Sequence, residues 1–567
     1  MAPKTVLGRL AVWLAFAVLL TAPGSLKPWA VLLGDPAIDV WNHAWGYWFV
    51  ADSLAHGRLP FETPLVGGPE GGVLYFIDTP GAVAMLPVTW IFGPAVAYNL
   101  ALIGRIALAG LAAQLLSEEL VGEPGPHGWV AGVAYGSTPF LLCELANGIS
   151  EVCATQWLAL TLWAAARALR TGRTSHWLQL GVLQGVTSVT TFYYGLTSAL
   201  VVALLVTAWL CREVWRSRRL PVRVLAQGVG AATAGLTLVL PHWLIFKASL
   251  SSDRALIRRS VELNAQLMEH NAVDPRVYLV PGDFQSVDLL AVYGEPFIHT
   301  GYLRWGVVVL AVLAAWHHRR LRAWLALGVA SLVFGLGPYL WWNGEWLQVG
   351  GRVLSLPFDW LRMALPQVAI THPLRLSLAA QALFAALAGA GAAVVAQRLA
   401  GRMPAALMLS SLGAVVVAEG LFGSAATWPV PTSDAAVPAL YRDAPEGMVL
   451  DLPAEVGTGM ETSRYFWYQT AHGRPIPYTP DVRMGSARDP LVFRAFARPS
   501  RNPLEPVAEV PTVPPPDVLA HLRETYGLVV VHTELQSRAG LNPTYESVLA
   551  GPLGEPEQGE GVVVFRP

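Results

Sequence analysis

Apolar and polar positions divide the chain into a long membrane-like part and a shorter, wetter tail. Apolar runs long enough to cross about 30 Å of hydrocarbon fall near residues 7–23, 95–117, 128–143, 154–171, 174–192, 194–212, 223–246, 301–317, 320–341, 373–397 and 402–424. Each predicts a transmembrane helix, eleven in all. A further run at 79–93, TPGAVAMLPVTWIFG, is short and carries Pro80 and Pro87. After about Ala425 the pattern changes. β-Branched runs at Gly447–Leu452, Gly527–His532 and Gly561–Phe565, bounded by Pro and Gly, predict strands. The stretch Pro511–Asp517 reads as a linker entering a helix at Val518–Tyr526. The expected architecture is an α-helical polytopic membrane domain over residues 1–424, with an outer loop at 23–98 that holds amphipathic or re-entrant helices. A small extracytoplasmic α/β domain would follow over 425–567.

Arginine sets the expected sidedness. If 79–93 does not cross, four clusters share the cytoplasmic face with Lys4 and Arg9: Arg167/Arg170/Arg173, Arg212/Arg216/Arg218/Arg219, Arg319/Arg320/Arg322 and Arg398/Arg402. That is the positive-inside pattern. If 79–93 did cross, every later cluster would move outside. The segment is therefore read as re-entrant or interfacial, with the N-terminus cytoplasmic and the tail outside a cytoplasmic (inner) membrane. Met1–Ala22 reads as an uncleaved signal anchor, because LTAPGSLKP offers a poor small-x-small cleavage site.

Composition agrees and narrows the function. Only 14% of residues are charged, against about 25% in soluble domains, and mean hydropathy is +0.45. A net charge of −1 without a concentrated basic face excludes nucleic acid as a partner. Cys143, Cys153 and Cys211 lie in or beside apolar runs without CxxC spacing, so neither a disulfide framework nor a zinc site is expected. No phosphate-binding GxxxxGK[ST], HExxH or GxSxG motif occurs.

Candidate chemistry gathers in the first outer loop, LGDPAIDVWNHAWGYW at 33–48. If Pro36 begins a helix, Asp35 is its N-cap, Asp39 lies one turn on and His43 another turn. Residues 40–55 then form an amphipathic helix with Trp41, Trp45 and Trp48 at the interface. In the plainer reading Asp35 only caps and Asp39 only faces water. In the functional one, a carboxylate takes a proton from an acceptor or holds a hard divalent cation, Mg²⁺ or Mn²⁺. Glu144, Asn147 and Glu151 interrupt an apolar hairpin on the same side and would line the same cavity, as would His43. Asp78 and Glu70 read as loop acids, His242 and His299 as interfacial histidines, and Arg254/Arg258/Arg259 as a solvated surface cluster. Arg105 stands out as an ionisable group inside a span. In the tail, the aromatic run YFWYQTAH at 465–472 reads first as a core segment, with contact to sugar or membrane as the alternative.

The layout resembles the polytopic GT-C glycosyltransferases, and more closely uncharacterised bacterial and YfhO-like members of that kind. The resemblance is carried by GDPAIDVWNHAWGYW (34–48), by Phe76–Gly93 followed by Ala97-Tyr98-Asn99-Leu100, by His372-Pro373-Leu374-Arg375-Leu376, and by Val531-His532. It implies a polyprenyl-phosphate sugar donor drawn from the membrane lipids and transfer on the outer face to a glycan, lipid or protein acceptor. The first-loop acid of such enzymes is catalytic or metal-binding, and it maps onto Asp39 or Asp35, although the loop has no adjacent Asp-Asp or Asp-Glu pair. The donor phosphate would need a cation. Arg375, just after Pro373 at the outer start of a span, is the first choice and Arg304 the second, with His372 lining the cavity. The alternatives are a transporter or flippase of a lipid-linked substrate, or a non-catalytic assembly protein on the same scaffold.

Overall fold

The computed structural model describes residues 3–257, 261–282, 284, 297–364, 370–454, 461–480, 489–496, 511–559 and 561–567. Arg258 and Arg259 of the basic surface cluster lie outside these residues. Every apolar run contains helix. The first eleven helices are α1 (Pro3–Leu20), α2 (Val40–Ala55), α3 (Thr79–Ala84), α4 (Leu86–Phe92), α5 (Pro94–Val121), α6 (His127–Gly136), α7 (Pro139–Asn147), α8 (Gln156–Thr171), α9 (Thr174–Thr190), α10 (Phe192–Ser217) and α11 (Val222–Ser251). Helices at Trp305–His317, Arg322–Gly335, Leu378–Arg398 and Ala405–Phe422 complete the bundle. Among the described residues, five helices are long and apolar enough to cross a membrane: Pro94–Val121, Phe192–Ser217, Val222–Ser251, Pro373–Arg398 and Ala405–Phe422. The protein is a multi-pass membrane protein.

Proline explains where the helices depart from the apolar runs. The run at 128–143 is not one helix, because Thr138 is extended and Pro139, which has no N–H to give, opens α7 at its first turn. The run at 79–93 breaks into α3 and α4, with Pro80 and Pro87 each near a helix start. At about 1.5 Å per residue neither piece reaches much beyond 10 Å.

Small residues let the helices approach closely. Leu378–Arg398 is buried along most of its length and is built largely of Ala and Gly. A Cβ on Gly391 would fall 2.0 Å from the Leu310 carbonyl oxygen of the neighbouring helix. The same device joins α9 to α11, where a Cβ on Gly181 would lie 2.1 Å from the Ala231 carbonyl. Gly110 and Gly132 make a slot for the Trp13 ring, whose Nε1–H donates to Gln114 Oε1 at 2.9 Å.

The tail strands form a four-stranded sheet in the order Glu557–Gln558, Val562–Phe565, Tyr526–His532, Met448–Leu452. The last pair is parallel and the other two are antiparallel. The sequence-based expectation of a tail domain lying beside the membrane part needs one refinement. The tail is stitched into the first loop. Val31–Leu33 pairs antiparallel with Thr432–Asp434, and Trp45 Nε1 donates to Gln469 Oε1 at 2.8 Å. The Gly67 N–H reaches the Tyr478 carbonyl, and the Ile476 N–H the Leu65 carbonyl. A single apolar core runs from Trp45 and Phe49 through Phe466 to Val529. Segments hydrogen-bonded in this way share one face of the bundle, so the acidic loop and the tail are on the same side.

Replacing Gly391 by Val forces the two helices apart. A loss of about 1–3 kcal/mol is expected from such overpacking, read as a lower unfolding temperature in detergent relative to Gly228→Val, where nothing lies within 4 Å of the added Cβ.

Candidate active site

The acidic loop is held by backbone bonds before any side chain of the site is considered. Gly34, at φ +138, passes so close to Val40 and Gly148 that a Cβ would meet them at about 3.0 Å. Its N–H donates to Pro431 O at 2.9 Å. The Asp35 N–H then donates to Ala146 O at 2.7 Å and the Asp39 N–H to Asn147 O at 3.2 Å, zipping the loop onto the end of α7. From α5, Asn99 Oδ1 accepts from the Leu33 N–H at 2.9 Å, and the Tyr98 hydroxyl lies between the Leu33 and Gly148 carbonyls.

This register corrects the expected helix start. Pro36 does not open a helix. The Asp35 carboxylate accepts from the Ala37 N–H at 2.9 Å in a tight turn, and α2 begins only at Val40, with Asp39 at its N-cap position and no side-chain capping bond. The Asp39–His43 spacing of one turn survives. Asp39 is half-buried, and its carboxylate accepts no hydrogen bond from the described residues. Burial raises its pKa; Glu151 and Glu144 add to the rise, while His43 and Arg375 oppose it.

Three further elements converge on Asp39. The last turns of α7 bring Glu144 and the turn after it Glu151, 1% and 5% exposed. The 3₁₀ turn Pro373–Ser377 brings Arg375, whose Nε donates to Glu144 Oε1 at 3.3 Å and whose guanidinium lies 5.4 Å from the Tyr193 ring centroid. Its terminal nitrogens have no hydrogen-bond partner among the described residues. The segment before Trp305 brings His299, with Nδ1 at 3.6 Å from Glu144 Oε1 and its ring 5.4 Å from that of His372. His372 in turn is tied through Thr371 to the Tyr193 hydroxyl. Burial pushes Glu151 up to about 7, with Asp78 adding and Arg375 opposing. One carboxyl oxygen of each glutamate, Oε2, is buried without a hydrogen bond.

Behind this crevice stands a fully used carboxylate. Arg105 Nη2 reaches both oxygens of Asp78, at 2.8 and 3.0 Å, and Nη1 holds the Ser150 carbonyl. The hydroxyls of Tyr47 and Ser150 donate to Asp78 Oδ2 at 2.9 and 2.6 Å. His43 Nδ1 lies 3.2 Å from Ser150 Oγ and 3.3 Å from Glu151 Oε2.

With this geometry in place, the comparisons decide the fold. The whole chain superposes on 40% of the arabinofuranosyltransferase AftD from Mycobacteria, with 15% identity and a TM-score of 0.50. The fold is GT-C-like. Similar structures include the archaeal oligosaccharyltransferase AglB from Archaeoglobus fulgidus in complex with an inhibitory peptide and a dolichol-phosphate (12% identity, TM-score 0.46, 94% of this chain and 69% of that one). Another is ArnT from Cupriavidus metallidurans bound to undecaprenyl phosphate (13% identity, TM-score 0.48, 100% and 98%). The chain therefore spans well under half the length of AftD. No protein-family model and no curated protein matches the sequence.

On this GT-C-like scaffold the expected site residues separate into two groups. Asp39, His43, Glu144, Arg375 and His372 come together. Asp35 sits at the edge with its carboxylate engaged in the turn. Arg304 does not join them. It is buried, with its guanidinium on the carbonyls of Ala134, Ser137 and Val416, holding α6 to the last helix of the bundle. Among the described residues no three His, Cys, Asp or Glu side chains stand together so as to hold a metal ion such as Mg²⁺ or Mn²⁺. Sequence reasoning passed over the Asp78–Arg105 pair, although an arginine inside an apolar run signals that some acid must meet it.

Asp78→Asn leaves Arg105 buried without its counter-charge, and a loss of about 3–5 kcal/mol is expected. Asp35→Asn, which can still accept from the Ala37 N–H, should stay within about 1 kcal/mol of the parent. Parallel thermal unfolding of the purified variants in detergent checks both.

Proposed function

We propose that the chain is a membrane glycosyltransferase that moves a sugar from a polyprenyl-phosphate donor to an extracytoplasmic acceptor, a surface glycan, lipid or protein, at an inner membrane. The observation that carries this reading is a pair of unfilled charges on a GT-C-like scaffold. Among the described residues Asp39 offers a carboxylate that accepts no hydrogen bond and Arg375 offers two terminal nitrogens with none, close enough to act on each other electrostatically. Arg375 is buried with only its Nε bonded, and half-buried Asp39 accepts no bond from the described residues; charge left unmet in this way is costly, so such a pair is best explained by ligands that complete it.

Each group has a task. Arg375 meets the donor phosphate with charge-assisted hydrogen bonds, steadied by Glu144 on its Nε. A narrow apolar groove begins beside it, lined by Thr197, Leu200 and Leu204 of α10, by Leu327 and Phe334, and by Leu376, the residue after Arg375. Such an apolar groove suits a polyprenyl chain arriving from the bilayer. The acceptor hydroxyl oxygen then attacks the anomeric carbon. The bond from that carbon to the phosphate oxygen breaks and its electron pair leaves on the phosphate, while the hydroxyl proton passes to the Asp39 carboxylate. A single displacement of this kind inverts the anomeric centre. The raised pKa of Asp39 suits a general base, since proton affinity nearer the working pH improves proton abstraction.

Purified protein incubated with a panel of polyprenyl-phosphate sugars should release polyprenyl phosphate. Asp39→Asn should lower kcat by about 10²–10⁴-fold, and a correctly inserted variant with full activity would sink the reading. Arg375→Gln should raise the donor KM.

The pH profile gives a further test. Asp39 works only when ionised, so the rate should fall as pH drops through its pKa, above the ordinary 3.8. Arg375→Gln removes a positive charge that lowers that pKa, so the acid limb should move to higher pH.

A further inference from the structure

The hydrogen bonds behind the crevice specify more about His43 than its position. Asp78, paired with the Arg105 guanidinium, is a carboxylate and can only accept. Ser150 Oγ, 2.6 Å from Asp78 Oδ2, must therefore spend its single proton on that oxygen. At 3.2 Å from His43 Nδ1, the same Ser150 oxygen has only lone pairs left to offer. Glu151 Oε2, 3.3 Å from the same nitrogen, makes no hydrogen bond to it among the described residues but places a second oxygen beside it. The proton of the neutral ring therefore belongs on Nδ1, and Nε2 keeps its lone pair. Burial lowers the pKa of His43, which keeps the ring neutral near pH 7. Nε2 has no hydrogen-bond partner among the described residues, yet it is not sealed off like the buried unpaired atoms around it.

We propose that Asp78 and Ser150 lock His43 in the Nδ1–H form, so that its Nε2 accepts a hydrogen bond from a sugar hydroxyl bound beside Asp39. This rests on the transferase reading and adds to it a residue that selects for a hydroxyl on the sugar. A lone pair fixed by neighbours discriminates well, because a substrate lacking the hydroxyl leaves the acceptor unpaired. The hydroxyl can belong to the donor sugar or to a sugar acceptor, and kinetics separates the two.

The test uses the full-length protein in detergent or nanodiscs. Histidine labelled with ¹⁵N, with His43 assigned by difference against His43→Asn, shows which ring nitrogen carries the proton. A protonated Nδ1 with a bare Nε2 is expected. A proton on Nε2 at neutral pH overturns the proposal. His43→Asn keeps an N–H near the Nδ1 position for Ser150 but has nothing at Nε2. Its kcat/KM should fall by about 10–100-fold, through the donor KM if the hydroxyl is the donor's and through the acceptor KM if it is the acceptor's. Ser150→Ala should lower kcat/KM in the parent and have no further effect in His43→Asn. A His43→Asn variant within threefold of the parent for both substrates overturns the role given to Nε2. A parent protein that transfers nothing from the polyprenyl-phosphate panel overturns the transferase reading and the sugar contact together, whereas the ¹⁵N result judges the lock by itself.

Discussion

The contact between Arg105 and Asp78 carries much of this structure. Arginine is costly inside an apolar span unless an acid meets it, and here the acid comes from the first loop. The pair fastens that loop to α5. Because one arm of Arg105 also holds the Ser150 carbonyl, it fastens the turn after α7 as well. Tyr47 adds α2 to the same carboxylate. Four segments distant in sequence are thus tied to one buried charge pair, and the crevice lies directly in front of it. If the carboxylate were lost, the loop, the turn and the amphipathic helix would lose their common anchor.

The two layers of charge behave differently because they are satisfied differently. Asp78 and Arg105 are saturated with donors and acceptors, and such a network is rigid. In the layer that faces the crevice, Asp39, Glu144 and Glu151 surround one arginine, and several of their atoms have no hydrogen-bond partner among the described residues. Burial raises the pKa of Asp39 and Glu151, since ionising them there forfeits hydration that the protein does not replace. A saturated wall behind an unsaturated face is the arrangement expected of a preorganised site, in which the supporting groups cannot relax toward the groups they support.

The tail belongs to the same construction. It contributes the strand at Thr432–Asp434 that pairs beside Gly34, and the helix Arg464–His472 that packs on α2. The aromatic run at 465–472 therefore turns inward as core: Tyr465, Phe466 and Trp467 are all buried. Without the tail, α2 would expose one apolar face, and the loop bearing Asp39 would lose the strand that pairs with its start.

Much of this was legible in the chain alone. Hydrophobic runs bounded by arginine located the helices, because a span must hide every backbone polar group and can do so only as helix. The three β-branched runs of the tail became strands within a residue or two of their expected bounds, and Asp39, Arg375, Glu144, His43 and His372 were chosen by residue type, side and spacing. Spacing was no guide to which charges would find partners in the protein. Asp35 and Asp39 look equivalent in the sequence, yet a turn engages one carboxylate and leaves the other open. Arg304 and Arg375 both open apolar helices, but one is consumed by carbonyls of α6 and its neighbour while the other faces the crevice. Asp35 is spent on an N–H two residues away, but Arg304 is spent on carbonyls more than a hundred residues away, and only packing in three dimensions brings those into hydrogen-bond range.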